Sequence, residues 1–442
     1  MADHAISPDP AVQAQLDRLA TLSPGADSLG LERIARLLDR LGNPERHLPP
    51  VLHVAGTNGK GSTCAALRAA IEGAGLTAHV YTSPHLVRFN ERIRIAGTLI
   101  GDALLAALLA EVLDIAGDIA PSFFEVTTAA AFLAFARTPA DACIVEVGLG
   151  GRLDATNVLT DPAACGIAQL GIDHQAFLGD DLAGIAAEKA GIAKPGAPLL
   201  TMAYPPALAA RIAATAKAAQ APLLTEGEAW SYRIEDDHIL YRDTCGTLRL
   251  APPALPGPYQ PGNLALAIAM LRHQNRIAIP DSALVQAGPA TRWPARMQSV
   301  TTGRLHRLLP SGTGLWIDGA HNPAAAEAVA PHLARLRQDG RPLWMVTGLL
   351  ANKDAAGLLA PLAPVIDRLI AVPVPGHATH DPAALAAAAA TLGVLATTAS
   401  DAKSALTILA AEIDPKCPPH ILILGSLYLA GTVLAANGTP PD

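Results

Sequence analysis

The chain has 442 residues, of which half are hydrophobic although only 4% are aromatic and 16% are charged. So much apolar surface offsets the entropy of ordering the chain, which excludes a disordered protein. The 32 basic and 39 acidic residues give a net charge of −7 without a basic block, which argues against a nucleic-acid-binding protein. Length alone predicts about two or three domains at about 100–200 residues each.

Local composition predicts a cytoplasmic protein. The most hydrophobic stretch, residues 421–436, is shorter than the ~20 apolar residues of a membrane-spanning helix and is interrupted by Gly425 and Ser426. Residues 1–10 contain acidic residues and prolines and lack the apolar core of a signal peptide. Five cysteines without CxxC spacing fit a reducing compartment and argue against a disulfide scaffold or a structural zinc site. We therefore expect a cytoplasmic monomer without membrane contact.

The predicted elements alternate between helices and short apolar strands. Apolar residues at helical spacing over residues 31–41, with arginines between them, predict an amphipathic helix that opens the chain. Short apolar runs between helix-like segments then predict strands at residues 51–55, 78–81, 142–147, 163–170 and 197–202. This alternation is typical of a parallel sheet with helices on both faces.

The pattern changes once and then restarts. Over residues 230–250, apolar and polar residues alternate around Asp236, Asp237 and His238, which predicts a small antiparallel β insertion. A proline- and glycine-rich segment follows, and a helix is predicted to begin near Asn263. Further strands are predicted at residues 314–317, 343–346, 369–374 and 420–424. We therefore predict an α/β N-terminal domain, residues 1–298, and a smaller α/β C-terminal domain, residues 299–442.

The strongest chemical signal is a glycine-rich loop between the first predicted strand and the next helix. Its residues are Gly56, Thr57, Asn58, Gly59, Lys60, Gly61, Ser62 and Thr63. Glycines let backbone N–H groups surround phosphate oxygens, the helix N-terminus adds positive potential, and Lys60 neutralises charge. A hydroxyl from Ser62 or Thr63 can ligate Mg²⁺. An ordinary turn would explain the glycines but not the lysine with hydroxyls behind it, so the loop predicts nucleotide binding.

Polar residues also follow the other predicted strands, at the edge where open α/β sheets bind ligands. Glu146 lies in an apolar strand, where a carboxylate is costly unless it is paired or metal-bound. It is therefore the best metal candidate, and pairing with Arg152 or a lysine is the alternative. His174, directly after Asp173, is a second candidate ligand, and Ser83 is either part of this site or a cap.

Three further features of the sequence contain charged residues. The glycine-rich loop at residues 148–154, which contains Arg152 and Asp154, is a candidate substrate loop. Asp318 lies between a strand and a helix, where it holds a ribose or a magnesium shell; the alternative is that an Asp or Asn of this segment simply caps the helix. Composition alone predicts that Lys189 is a solvated surface lysine.

These segments together resemble the Mur ligase superfamily and, within it, the folylpolyglutamate synthase/dihydrofolate synthase family. The matching segments occur in family order over nearly the whole chain, at residues 55–62, 82–92, 123–125, 146–157, 188–192 and 318–323. The resemblance implies a P-loop-containing, ATP-binding, Mur-ligase-like N-terminal domain and a Rossmann-like C-terminal glutamate-ligase domain. The implied reaction is ATP-dependent attachment of L-glutamate to 7,8-dihydropteroate, to reduced folates or to both, through an acyl phosphate.

The resemblance also implies roles for single residues. Lys60 and the loop amides bind the ATP phosphates, and Lys189 matches a lysine that becomes carbamylated and supports the second of two Mg²⁺ ions. The implied metal ligands are Ser62, Ser83, Glu146 and His174. The positions that contact ATP from the hinge and the C-terminal domain are matched by Asn263, Arg296 and Asp318. The pterin-binding segments are matched by Leu29, Gly30, Leu31, Phe124, Arg152, Leu153 and Asp154.

Two other functions remain as alternatives. One is a Mur-type ligase for another carboxylate, such as a cell-wall nucleotide-sugar precursor. Such enzymes usually have an additional N-terminal domain, whereas only about 50 residues precede the phosphate loop here, too few for that domain. The other is a nucleotide-binding protein without turnover, which would not require carboxylates and a lysine placed for two metals.

Overall fold

The computed structural model describes residues 5–22 and 29–441, which form two compact units. The first unit contains residues 5–22, 29–84, 88–254 and 260–292, and the second contains residues 85–87, 255–259 and 293–441. The continuous part of the second unit begins at Trp293, before the predicted boundary at residue 298. It begins earlier because Ala295 and Met297 already pack into the hydrophobic clusters of the second unit.

An eight-stranded sheet forms the centre of the first unit. Its strands are β1 (Val51–Ala55), β2 (Ala78–Tyr81), β3 (Ile93–Ile95), β4 (Thr98–Leu99), β5 (Ala142–Glu146), β6 (Ala164–Ile167), β7 (Leu199–Thr201) and β8 (Leu223–Thr225). Their order in space is β4-β3-β2-β5-β1-β6-β7-β8. The strands β2, β5, β1, β6, β7 and β8 run parallel, and β3 and β4 pair antiparallel at one edge.

Helices cover both faces of this sheet. They are α1 (Pro10–Leu22), α2 (Glu32–Arg40), α3 (Lys60–Gly73), α4 (Asp102–Asp114), α5 (Phe123–Arg137), α6 (Gln175–Leu178), α7 (Leu182–Ala190), α8 (Pro206–Ala218), α9 (Gln260–His273) and α10 (Asp281–Ala290). Because successive strand side chains point to opposite faces, Val51 and Val145 pack against α1, α2, α4 and α5. Leu52 and Ile144 pack on the other face, against α3, α9 and α10.

Two predictions for the first unit need adjustment, and one is confirmed. The helix predicted to open the chain is α2, and α1 precedes it because Val12, Leu16 and Leu19 also have helical spacing and enter the core. The helix predicted near Asn263 begins earlier, at Gln260. The antiparallel insertion is confirmed as a three-stranded sheet of β9 (Trp230–Glu235), β10 (His238–Asp243) and β11 (Gly246–Leu250).

A six-stranded sheet forms the centre of the second unit, in the order β12-β13-β17-β14-β15-β16. These strands are β12 (Gln298–Ser299), β13 (Gly314–Ile317), β14 (Leu343–Thr347), β15 (Arg368–Ala371), β16 (Leu395–Thr398) and β17 (His420–Leu424). All pairs except β12 with β13 are parallel. The covering helices are α11 (Pro323–Leu336), α12 (Ala355–Leu359), α13 (Pro382–Thr391), α14 (Ala402–Glu412) and α15 (Leu427–Asn437). The predicted restart of the α/β pattern is therefore confirmed.

The most hydrophobic stretch of the sequence is divided between two elements. The buried strand β17 ends at Leu424, and α15 begins at Leu427. Ser426 caps α15, because its hydroxyl accepts a hydrogen bond from the backbone N–H of Tyr428 at 3.1 Å. Among residues 5–22 and 29–441, no helix has both the length and the apolar character needed to cross a membrane.

Candidate active site

The glycine-rich loop connects β1 to α3 and is fixed to the segment after β6. Thr57 and Asn58 donate their backbone N–H groups to the carbonyl oxygen of Gln169 at 2.8 and 3.2 Å. The Thr57 hydroxyl donates to the carbonyl oxygen of Gly171 at 2.8 Å. These two amides are therefore engaged within the protein, and anion binding depends on the amides that follow them.

The amides that follow belong to the first turn of α3. Its first helical hydrogen bond runs from the N–H of Thr63 to the carbonyl oxygen of Gly59 at 2.9 Å. The N–H groups of Lys60, Gly61 and Ser62 precede that bond and have no intrahelical acceptor. Donors at a helix N-terminus bind anions, and the helix dipole adds positive potential there.

Two lysines converge on one carbonyl oxygen of this loop. Lys60 Nζ donates to the carbonyl oxygens of Gly56 and Thr57 at 3.1 and 3.2 Å. Lys189 Nζ donates to the same Gly56 oxygen at 3.0 Å. Lys189 is only 4% exposed, so the prediction that it is a solvated surface lysine is wrong. Two lysine amines therefore lie beside the loop.

Burial of Lys189 changes its chemistry. Loss of hydration and the nearby charge of Lys60 lower the pKa of Lys189 to about 7, although Asp173 and Asp154 oppose that change. A large fraction of the amine is therefore neutral and nucleophilic near pH 7. Sequence did not show this burial because distant residues produce it: a Cβ atom at Gly151 would lie 3.0 Å from the Lys189 Cα.

Glu146 and Ser83 lie together beside the loop. The Glu146 carboxylate is buried at the end of β5, and its Oε2 accepts a hydrogen bond from the Ser83 N–H at 3.3 Å. Its Oε1 lies 4.0 Å from Lys60 Nζ. A lysine thus lies within ion-pair distance of Glu146, whereas Arg152 pairs with Glu188 at 2.8 Å.

The donors beside the loop suit a hard cation. The Glu146 carboxylate and the buried Ser62 hydroxyl offer oxygen ligands, which Mg²⁺ and Mn²⁺ prefer. Within the described ranges, no three His, Cys, Asp or Glu side chains are grouped as ligands. Mg²⁺ usually takes only one or two carboxylates and completes its shell with phosphate and water, so the residues fit a metal that binds with a nucleotide.

His174 lies in the turn between β6 and α6. It adopts the left-handed backbone conformation with φ 54°, and its N–H donates to Asp173 Oδ1 at 2.8 Å. Its side chain is half-buried. The described structure does not combine His174, Asp173 and Glu146 into a three-ligand group.

The loop at residues 148–154 is held by Asp154. Asp154 is buried, and its carboxylate accepts hydrogen bonds from the N–H groups of Leu149 and Thr156 at 2.8 and 3.0 Å. Burial raises the pKa of Asp154, against the lowering effect of these bonds. Arg152 is exposed and Leu153 is half-buried, so these two side chains are on the accessible side of the loop.

Phe124 lies directly over this loop. Its ring comes within 2.4 Å of the position that a Cβ atom at Gly148 would occupy, so only glycine fits below it. Phe124 and Leu31 pack against the same hydrophobic cluster. Leu29 and Gly30 are half-buried immediately before Leu31. The predicted pterin-binding residues therefore fall into two groups. Leu29, Gly30, Leu31 and Phe124 lie at or next to one hydrophobic cluster of the first unit, and Arg152, Leu153 and Asp154 lie on the loop below Phe124.

Asn263 packs against the glycine-rich loop that follows β1. Gly59 has φ 84°, and a Cβ atom there would lie 2.5 Å from Asn263 Oδ1. Asn263 Nδ2 donates to Gln260 Oε1 at 3.1 Å, and both side chains are buried. Gln260 was not singled out in the sequence; its spacing of three residues from Asn263 on one helix is the signal that indicates a side-chain pair.

The predicted residues of the second unit, Arg296 and Asp318, lie close together where β13 ends: Arg296 Nη1 is 2.8 Å from the position of a Cβ atom at Gly319. Asp318 is buried, and its carboxylate accepts hydrogen bonds from the N–H groups of Met297 and Ala320 at 2.7 and 2.8 Å. Burial raises the pKa of Asp318, whereas the nearby charge of Arg296 lowers it. Asp318 is not the cap of α11, because Asn322 performs that role through the N–H of Ala325.

Comparisons with known proteins identify the family. Residues 303–427 match the family model for the glutamate ligase domain of Mur ligases. The chain is 36% identical over 362 residues to the dihydrofolate synthase/folylpolyglutamate synthase of Escherichia coli. The aligned region covers 82% of this chain and 81% of that protein. This chain belongs to the dihydrofolate synthase/folylpolyglutamate synthase family. It is an ATP-dependent ligase that joins L-glutamate to 7,8-dihydropteroate, to reduced folates or to both, as predicted.

Solved structures of the family share the whole architecture. E. coli FolC in complex with DHPP and ADP superposes with a TM-score of 0.86 at 33% identity and covers 97% of each chain. A bifunctional folylpolyglutamate synthase/dihydrofolate synthase with Mn, AMPPNP and L-glutamate bound superposes with a TM-score of 0.83 at 32% identity. The superposition covers 97% of this chain and 99% of that chain. The predicted fold class is thereby confirmed.

For this family member we expect that Gly59→Ala weakens ADP binding. The substitution places a methyl group against Asn263 and forces alanine into a left-handed conformation at a cost of ~1–3 kcal/mol, so the dissociation constant should rise about tenfold or more. Gly75→Ala is the matched control, because Gly75 has φ 78° just after the same helix and an added Cβ meets no described atom within 4 Å. Titration calorimetry with ADP checks this; equal affinities for the two variants would contradict it.

Proposed function

We propose that ATP binds to the first turn of α3 and the loop before it. The residues are Gly56, Thr57, Asn58, Gly59, Lys60, Gly61 and Ser62, with Asn263 beside them. The amides at the start of α3, which have no intrahelical acceptor, and the Lys60 ammonium support this assignment, and the E. coli relative binds ADP. In the second unit, Arg296 and Asp318 are the proposed nucleotide contacts.

We further propose that a divalent cation binds with the nucleotide. Ser62, Ser83, Glu146 and His174 are the proposed ligands, and the oxygen donors among them suit Mg²⁺ or Mn²⁺. A solved relative binds Mn together with AMPPNP. When bound, the cation supplies charge neutralisation for the transferring phosphoryl group. Two such sites are proposed, of which the second depends on Lys189.

The proposed chemistry has two steps. An oxygen of the pteroyl carboxylate attacks the γ-phosphorus of ATP, ADP leaves and an acyl phosphate forms. The L-glutamate amine then attacks the acyl carbon, loses a proton, and phosphate leaves from the tetrahedral intermediate. Lys60 and the amides of Gly61 and Ser62 stabilise the negative charge of the phosphoryl group during the first step.

Lys189 is the proposed site of carbamylation. Its neutral amine attacks CO₂, an N–C bond forms, and one proton is released, which leaves a carboxylate at a position where a protonated lysine would carry a positive charge. The pKa of about 7 supports this proposal, because an ordinary lysine would be almost fully protonated at neutral pH. Its position beside the Gly56 carbonyl would bring the new carboxylate close to the nucleotide and the cation.

The pteroyl substrate is proposed to bind where Phe124 meets the loop at residues 148–154. Phe124 offers a half-buried aromatic face, and the loop offers Arg152 and Leu153 as accessible side chains. Asp154 maintains the loop conformation through its amide bonds. Leu29, Gly30 and Leu31 complete the proposed site. The DHPP bound to E. coli FolC supports this substrate class.

We propose that the enzyme works as a cytoplasmic monomer on small-molecule substrates, without a nucleic-acid or membrane partner. All five cysteines are free, and three of them are buried, which suits a reducing compartment. The net charge of −7 gives no general attraction for nucleic acid. Size-exclusion chromatography with light scattering tests the oligomeric state.

Phosphate release from ATP tests the proposed substrates. It should require both L-glutamate and a pteroyl acceptor, assayed separately with dihydropteroate and with a reduced folate. Release with dihydropteroate alone would restrict the enzyme to dihydrofolate synthesis. ADP binding without release under any condition would indicate a non-catalytic nucleotide-binding protein, and release with another carboxylate acceptor only would indicate a different Mur-type ligase.

A further inference from the structure

Glu125 connects two segments of the proposed pteroyl site. Its Oε2 accepts a hydrogen bond from Arg33 Nε at 3.0 Å and another from the Ser122 N–H at 2.6 Å. Ser122 Oγ in turn accepts from the Glu125 N–H at 3.2 Å, which completes a capping box at the start of α5. One carboxylate therefore fixes the N-terminus of α5 and holds the first turn of α2.

Both segments continue directly into proposed substrate contacts. Arg33 follows Leu31 by two residues at the start of α2, and Phe124 precedes Glu125 in the first turn of α5. Phe124 cannot shift toward the loop at residues 148–154, since its ring already touches Gly148. The distance between the Leu29–Leu31 segment and the Phe124 ring thus depends on the contact between Arg33 and Glu125.

The charge balance around Glu125 is asymmetric. Its side chain is 4% exposed, and Oε1 has no hydrogen-bond partner among the residues that the structure describes. Loss of Arg33 would leave a buried carboxylate without a countercharge, which is costly. If Glu125 loses its charge, water can still solvate Arg33, because the Arg33 side chain is already 28% exposed. The two single substitutions therefore have different consequences.

We propose that Glu125 is a positioning residue that sets the affinity for the pteroyl substrate by holding α2 and α5 in register. This inference rests on the proposed pteroyl site. Glu125 itself does not contact the substrate, because both of its oxygens are enclosed by protein. It affects catalysis only through Leu29, Gly30, Leu31 and Phe124.

Glu125→Gln tests the inference, because glutamine can replace glutamate in a capping box but cannot pair with Arg33 as a charge. The KM for dihydropteroate should rise about tenfold, as expected for loss of one charge-assisted hydrogen bond. The KM for ATP and for L-glutamate, and kcat at saturating dihydropteroate, should change less than about twofold. Glu111→Gln is the matched control, since it removes the ion pair with Arg137 at the other end of α5.

The charge asymmetry gives an independent readout. Arg33→Met should lower the melting temperature more than Glu125→Gln, and the double variant should recover part of that loss. An unchanged KM for dihydropteroate in Glu125→Gln, or an equal rise in all three KM values, would overturn the inference. If wild-type enzyme shows no pteroyl-dependent turnover, the proposed function fails instead, which the wild-type assay reveals before any variant is compared.

Discussion

Lys60→Met is expected to lower kcat by about 10²–10³-fold, the usual cost of removing a preorganised group that stabilises transition-state charge. Lys60 Nζ donates to two carbonyl oxygens of the loop and lies 4.0 Å from Glu146, so the ammonium is beside the loop where phosphate is proposed to bind. Methionine keeps the approximate length of the side chain and removes only the charge. Single-turnover measurement of acyl-phosphate formation at saturating ATP checks this expectation.

Arg68→Met provides the control for charge on the same helix. Arg68 is a cationic residue further along α3 and lies 3.9 Å from Glu72. Its loss should leave kcat within about twofold, because Arg68 lies about two turns beyond Lys60 on α3 and is not among the proposed phosphate contacts. Similar losses of kcat in both variants would mean that helix stability, and not the Lys60 charge, is responsible.

Lys189→Ala is expected to reduce turnover by about 10–100-fold, because that is the usual cost of losing a group that supports a bound metal. Short-chain carboxylic acids such as acetate should restore part of the activity by occupying the space of the proposed carbamate. Steady-state phosphate release with increasing acetate checks both parts. Wild-type rates in the variant would remove the carbamate assignment.

The pH dependence of the carbamate follows from the same residue. Because the pKa of Lys189 is lowered to about 7, its amine is mostly protonated below pH 7 and mostly neutral above it. Carbamate formation requires the neutral amine, so the carbamate signal in ¹³CO₂-labelled protein should decrease as the pH falls through 7. Lys194→Ala is the control; Lys194 is a neighbouring lysine that donates to the Asn157 carbonyl, and its loss should preserve the signal and give no rescue by acetate.

Local sequence predicted the elements and the loop well. Short, mostly apolar runs such as residues 51–55 and 420–424 became buried parallel strands, because both faces of each sheet are covered and all five side chains of each strand are buried. The glycine-rich loop was placed correctly between β1 and α3. The residues that give this loop its chemistry are adjacent in the sequence, so their types and spacing can be read directly from it.

Pairings between distant residues were not predictable in the same way. Lys189 was expected at the surface, yet Gly151 and Gly191 allow the loop at residues 148–154 to lie directly on α7 and to bury it. Likewise, Arg152 pairs with Glu188 on α7, and the cation near Glu146 is Lys60. A single sequence does not state which distant segments approach each other, so it cannot predict the resulting loss of water.

Sequence was sufficient for the α/β class, the two-part organisation and the family, because these depend on periodicity and on ordered motifs. The protonation behaviour of Lys189, the partner of Glu146 and the link between Arg33 and Glu125 required the folded chain. Each of these depends on burial and on distances across the first unit, and electrostatic energies change several-fold when water is removed from a charged group. Residue identity supplies the charge, and packing determines how strongly it acts.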